Sequence, residues 1–209
     1  MTREVRGPNG EPGDVDWLQP SDRERLSRLK HQGAAAQFYT GRTLLRQALE
    51  ARGLSYNDVD FSSEKPTHPA IHFNISHVLT LVAVALGENE LGLDVETTDR
   101  NTNINLLMPR HFTAAETEWV GRQSDPKRAF FRIWTLKEAF LKLMGTGLRT
   151  PTRSFEFDLD SGEFSPPTDI ESSRFHYADF DECCLAITVR EESRLALRHE
   201  AQLDWVVIG

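Results

Sequence analysis

A long amphipathic segment occurs twice in this chain, and each copy is followed downstream by a short apolar strand; that order restricts the fold more than any single motif. Laid over each other, "FYTGRTLLRQALEARG" and "FFRIWTLKEAFLKLMG" pair Phe38 with Phe130, Leu44 with Leu136, Leu49 with Leu141 and Gly53 with Gly145. In the first copy Phe38, Leu44, Leu45, Ala48 and Leu49 fall close to a 3.6-residue stripe, and Gly53 is a natural stop. The second copy lies in a helix that ends at Gly145 or Gly147, and the two strands are "LTLVAVAL" and "CCLAITV". The repetition predicts an α+β fold made of two similar α+β halves, and a cleft between such halves is a natural ligand site.

The remaining elements follow from caps and turn residues. "PSDRERLSRLK" opens a helix with Ser21 as cap and Glu24 at the capping-box distance, and "FTAAETEWVGR" repeats that spacing with Thr113 and Glu116. Residues 59–96 are rich in strand formers punctuated at Lys65-Pro66, His68-Pro69 and Gly87-Glu88-Asn89, while "TTDRNTNIN" reads as a polar linker. "SFEFDLD", "SRFHYADF" and "CCLAITVR" are strand-like, and "AQLDWVVIG" reads as a last strand. The expected division is a polar leader over residues 1–17, an N-terminal half over 18–100 and a C-terminal half over 101–209.

Charge and composition narrow the function. With 209 residues the chain can bury a core as one large or two small domains, and its net charge of −8 disfavours a broad nucleic-acid footprint, which needs clustered cations. The leader lacks the apolar centre of a secretory signal, and "LTLVAVAL" is far shorter than the roughly 20 residues that span a bilayer. Cys183 and Cys184 are adjacent, a poor geometry for a disulfide within a strand, and read as buried reduced thiols. These features suit a cytoplasmic protein.

Several polar residues could carry chemistry. Asp94 and Glu96 in "GLDVE" point to one side of a strand, an arrangement that fits either a solvated edge or a bound cation. Alternation with Leu91, Leu93 and Val95 half-buries that strand, and carboxylates without nearby His or Cys suit Mg²⁺. Trp134, Glu138 and Lys142 share one helix face; they read as an ion pair beside a core tryptophan, or as a third metal oxygen and a phosphate-binding lysine. His77 and Ser76 in "HFNISHV" suit either a phosphate or a capped turn, and Lys65 and Arg42 fit a solvated or a functional role.

In order and spacing these motifs resemble the Sfp-type 4'-phosphopantetheinyl transferases: "GRTLLR" (41–46), "EKP" (64–66), "FNISH" (73–77), "GLDVE" (92–96), "FTAAE" (112–116) and "WTLKEAFLK" (134–142). The resemblance implies a monomer with a pseudo-twofold pair of α+β halves and coenzyme A bound at an active site between them. It implies transfer of 4'-phosphopantetheine from coenzyme A to a serine of an acyl or peptidyl carrier protein, with release of adenosine 3',5'-bisphosphate. It further implies that Asp94, Glu96 and Glu138 hold Mg²⁺, that Lys142 neutralises the leaving phosphate, and that Glu116, directly or through water, takes the serine proton. Arg42 and His77 correspond to residues that hold the 3'-phosphate of coenzyme A, with Lys65 and Ser76 nearby in the same binding site and Arg25 and Arg28 as weaker counterparts. Glu64 departs from the family's usual glycine and Val78 from a small polar residue. Two rival readings are a metal-dependent nuclease or phosphodiesterase, and a non-catalytic module that binds carrier proteins.

Overall fold

The computed structural model describes residues 14–63, 65–79, 81–167 and 173–190, and the chain divides into two compact units, Met1–Leu86 and Gly87–Gly209. The expected strand at residues 201–209 and the Glu64 substitution lie outside the described residues. Among the described residues no helix is long and apolar enough to cross a membrane.

In the first unit, α1 (Pro20–Arg28) starts one residue before the expected cap. Pro20 occupies the first turn, where its fixed φ suits a helix, and Gln19 rather than Ser21 is the capping residue. The Gln19 amide instead donates to the carbonyls of Tyr56 and Val59, 3.1 and 2.9 Å away. Helix α2 (Gln32–Glu50) is followed by Gly53 at φ 70°, the left-handed conformation that glycine adopts without strain. Its Leu45 and Leu49 are fully buried with Tyr56, Val59 and Phe73, the last from β1 (His72–Val78), which forms a two-stranded sheet with β2 (Leu81–Gly87). Residues 14–17 fall within the expected leader but are tied down: the Trp17 ring packs at a tilt on Tyr39 and edge-to-face on Tyr56, and the Tyr39 hydroxyl donates to the Asp14 carbonyl.

The second unit is built on a three-stranded antiparallel sheet in the order β3 (Leu91–Thr97), β7 (Cys183–Arg190), β6 (Ser173–Phe180). By sequence the GLDVE strand closes the first half; its ladder with β7, which pairs Asp94 with Ala186 and Glu96 with Cys184, puts it in the second. Between β3 and β6 come α3 (Ile104–His111), α4 (Ala114–Gly121), α5 (Pro126–Met144) and a small hairpin of β4 (Glu156–Asp158) and β5 (Glu163–Ser165). Helix α3 begins inside the stretch read as a linker, where a run of Ile104, Leu107 and Met108 packs on the Phe112, Trp119 and Phe130 cluster. Cys183 and Cys184 are buried free thiols, as expected, and burial pushes the Cys184 thiol up.

Helix α5 is the axis of this unit. Phe130, Phe131, Ile133, Leu136, Ala139, Phe140, Leu141 and Leu143 are all buried, feeding two aromatic-rich clusters. A helix that is apolar almost all round belongs in an interior. From Ile133 to Leu143 only Trp134, Glu138 and Lys142 are half-buried rather than buried, so the stripe singled out by its i, i+4, i+8 spacing is the one open face of that segment. The helix stops at Gly145, which takes φ 65°.

Candidate active site

One glycine sets how closely α5 approaches β3. A Cβ on Gly92 would lie 1.9 Å from the Ala139 carbonyl oxygen and 2.5 Å from the Leu143 nitrogen, so only a residue without a side chain lets the helix backbone rest on the strand. Asp94 and Glu96 follow Gly92 at two-residue intervals and therefore face the same helix. The helix runs antiparallel to the strand: Lys142 Nζ donates to Asp94 Oδ1 at 2.7 Å, and Trp134 Nε1 donates to Glu96 Oε1 at 3.1 Å. Arg100, from the turn after β3, reaches Glu96 Oε2 at 3.3 Å.

Glu138 stands between Trp134 and Lys142 on the same face, and its electrostatics show its neighbours. Burial and then the Asp94 charge push its carboxyl above the ordinary value, Lys142 opposes them, and Glu96 adds to the rise. The Glu96 carboxyl is also raised, by burial above all and by Asp94, against the pull of Arg100, Trp134 and Lys142. Three carboxylates with no imidazole or thiol among them form the donor chemistry of a hard divalent cation. Among the described residues no three such side chains converge to hold an ion as they stand. Lys142 holds one oxygen of Asp94, while Trp134 and Arg100 hold both oxygens of Glu96.

Glu116 has different company. It closes the expected capping box, with Glu116 N donating to Thr113 Oγ1 at 3.2 Å and Thr113 N to Glu116 Oε2 at 2.9 Å. Its Oε1 accepts from Phe157 N at 3.0 Å and from Lys137 Nζ at 2.9 Å, and both charged side chains are about 1 % exposed or less.

The first-unit residues are individually placed. Arg42 is buried: its Nε donates to Asp22 Oδ1 at 2.9 Å, Tyr56 donates to the other Asp22 oxygen, and the guanidinium lies 4.6 and 4.1 Å from the Phe38 and Phe61 rings. Ser76 and His77 lie within β1 rather than at its lip, Ser76 buried and His77 exposed, as neighbours on opposite faces of a strand must be. Lys65 is half-buried in the turn before β1. Arg28 is spent on an exposed pair with Glu24, and Arg25 lies 5.4 Å from the Phe38 ring.

Four contributors had not been singled out for a role. Gly92 looks like any strand glycine until the helix above it is known. Arg100 is hidden in a stretch read as linker. Trp134, read as a core residue, is half-buried and donates to Glu96. Lys137 had a readable signal: it sits four residues from Ile133 and from Leu141 on the apolar side, where a buried ammonium demands partners.

Residues 90–196 match the model of the 4'-phosphopantetheinyl transferase superfamily. The 4'-phosphopantetheinyl transferase Sfp of Bacillus subtilis is 30% identical over 155 residues, which cover 69% of this chain and 68% of that one. The L-aminoadipate-semialdehyde dehydrogenase-phosphopantetheinyl transferase of Mus musculus is 26% identical over 220 residues, 92% of this chain and 68% of its own. A solved holo-[acyl-carrier-protein] synthase from Neisseria meningitidis matches 49% of this chain and 98% of its own, with 23% identity and a TM-score of 0.43. A family match spanning Asp94, Glu96, Glu116, Glu138 and Lys142, joined to a relative of this identity and coverage, makes the chain a member of the 4'-phosphopantetheinyl transferase superfamily.

Proposed function

We propose that this transferase moves the 4'-phosphopantetheine group of coenzyme A onto a serine hydroxyl of an acyl or peptidyl carrier protein and releases adenosine 3',5'-bisphosphate. The observation that carries the reading is the meeting of Asp94, Glu96, Glu138 and Lys142 on one face between β3 and α5. Phosphoryl transfer asks a protein mainly for positioning and for charge neutralisation, and this face offers both.

Asp94, Glu96 and Glu138 would hold Mg²⁺, with Mn²⁺ able to replace it in vitro. When bound, the cation neutralises pyrophosphate oxygens. The ammonium of Lys142, now on Asp94, would pass to the phosphate on which charge grows as the pyrophosphate bridge breaks. The serine oxygen bonds to the phosphorus that carries the pantetheine, and the bridging bond's electrons leave with adenosine 3',5'-bisphosphate. The serine proton goes to water or to Glu116. Arg42 and His77 are assigned to the 3'-phosphate, with Lys65 and Ser76 in the same coenzyme A site; His77 is exposed, whereas Arg42 is already engaged by Asp22. A monomer suffices, since the acidic cluster and Lys142 come from one chain.

The deciding experiment mixes the protein, Mg²⁺, coenzyme A and several apo carrier proteins, and reads the carrier by mass spectrometry. The expected result is a phosphopantetheine mass increment that disappears with EDTA. No increment on any carrier, together with metal-dependent cleavage of DNA, would replace this reading with the phosphodiesterase one.

A further inference from the structure

We propose that Glu116 and Lys137 are a pair of positioning residues that fix the rotation of α5 and thereby aim Glu138, and that Glu116 does not take the serine proton. The inference rests on the transfer reading above.

The hydrogen bonds of the pair are complete. Lys137 Nζ has three protons to donate, and it faces three acceptors: Glu116 Oε1 at 2.9 Å, the Thr152 carbonyl at 2.7 Å and the Phe155 carbonyl at 2.9 Å. The Phe155 ring lies 4.5 Å from the same nitrogen. Glu116 receives three donors in turn, from Lys137, Phe157 N and Thr113 N, and its side chain is 0% exposed. A general base must come within hydrogen-bond reach of the proton that it abstracts. Glu116 is walled off from solvent, and protonating it would leave a buried ammonium without its counter-charge.

The same contacts have a geometric consequence. Lys137 joins α5 to the N-terminus of α4 through Glu116 and to the segment before β4 through Thr152 and Phe155. Successive helix residues project about 100° apart. Holding residue 137 inward therefore fixes the direction of residue 138, and with it the stripe of Trp134, Glu138 and Lys142 that faces β3. Gly92 sets the distance between helix and strand; the Glu116–Lys137 pair sets the helix's rotation.

The test compares Glu116→Gln, Lys137→Met and the double variant Glu116→Gln/Lys137→Met with the wild type. Each is measured for melting temperature, for Mn²⁺ affinity by electron paramagnetic resonance, and for the pH profile of kcat. Removing one member of a buried ion pair is strongly destabilising, whereas replacing both is often near neutral. The expected result is that each single variant melts lower and binds Mn²⁺ about tenfold or more weakly, while the double variant recovers Mn²⁺ affinity and brings kcat to within about tenfold of wild type with the acid limb of the pH profile retained. A folded double variant with wild-type Mn²⁺ affinity, but with kcat down by about 10²-fold or more and no acid limb, would show that Glu116 is the base and overturn the proposal. If the double variant does not fold, Glu116→Gln alone decides: a positioning pair leaves the acid limb in place however far kcat falls, and a base removes it. Failure of the wild type to transfer phosphopantetheine would overturn the function while the Mn²⁺ and melting data still read the pair.

Discussion

Two lysine–carboxylate pairs sit five residues apart on α5 and have opposite characters. Lys137 with Glu116 is sealed in the interior, the side chains being 1% and 0% exposed, with three protein acceptors around the ammonium and protein donors on both carboxylate oxygens. Lys142 with Asp94 is similar in length at 2.7 Å, but its ammonium is a third exposed and the carboxylate shares its surroundings with Glu96 and Glu138. A saturated buried pair can only hold shape. A half-open pair among coupled carboxylates can exchange partners, and exchange is what binding a cation and a phosphate requires.

The contrast breaks most visibly on the open side. Asp94→Ala and Glu138→Ala should each lower kcat for phosphopantetheine transfer by about 10²–10³-fold or more, with little change in melting temperature; a folded variant of either kind running at wild-type rate would rule out the proposed cation site. Gly92→Ala comes next, because its Cβ meets helix main chain at 1.9 Å. It should cost about 3 kcal/mol or more in urea unfolding, the upper end of overpacking penalties, and lose metal affinity as well. Lys142→Met and Lys137→Met then compare the two pairs directly. The first should lose activity and keep its stability; the second should lose about 3–5 kcal/mol, a fall in Tm on the order of 10 °C. Equal melting temperatures for the two variants would erase the distinction.

Smaller effects sharpen it. Trp134→Phe keeps the ring but removes the indole donor to Glu96, so Mn²⁺ affinity should fall by about tenfold at unchanged fold. The raised carboxyls of Glu96 and Glu138 also set a pH dependence. Their native forms bind protons more tightly than the unfolded chain does, so their contribution to stability is present at low pH and is lost as pH rises through the raised values. Without metal, urea stability should therefore decline through the region just above the ordinary carboxylate range. Stabilisation by added Mn²⁺ should be absent below that interval, grow through it and persist above it, because the ligands must first ionise.

Much of this was legible because the signals are local. The Thr113–Glu116 capping box, the glycine ends of α2 and α5, and the outward stripe of Trp134, Glu138 and Lys142 all depend on spacing along one element. What escaped the sequence depends on which element lies opposite. GLDVE sits in the second unit because its ladder partner is β7, nearly a hundred residues away, and no periodicity within the strand encodes that choice. Ser21 lost the cap position because Pro20 and Gln19 compete for the same helix start and Gln19 is held by Tyr56 and Val59. Ser76 and His77, adjacent in sequence, were separated by the strand that contains them. Glu116 was read as a capping residue and as a base; the capping geometry is present, and the further partners Lys137 and Phe157 come from segments that no local spacing could name.

The contact over Gly92 has a genetic consequence. What its added methyl would strike is main chain, the Ala139 carbonyl and the Leu143 amide, which every substitution in α5 retains. No side-chain exchange on the helix can make room, so a search for second-site suppressors of Gly92→Ala should return revertants and nothing from residues 139 or 143. Gly87 offers the control. There a Cβ would lie 2.8 Å from a Leu91 methyl carbon, the far end of a side chain that can shift, and 3.3 Å from the Asn89 carbonyl oxygen, so Gly87→Ala should cost less in urea unfolding than Gly92→Ala. At one of the two glycines the nearest neighbour is a side chain that can yield; the other is fixed by the backbone itself, and no exchange on the facing helix makes room for it.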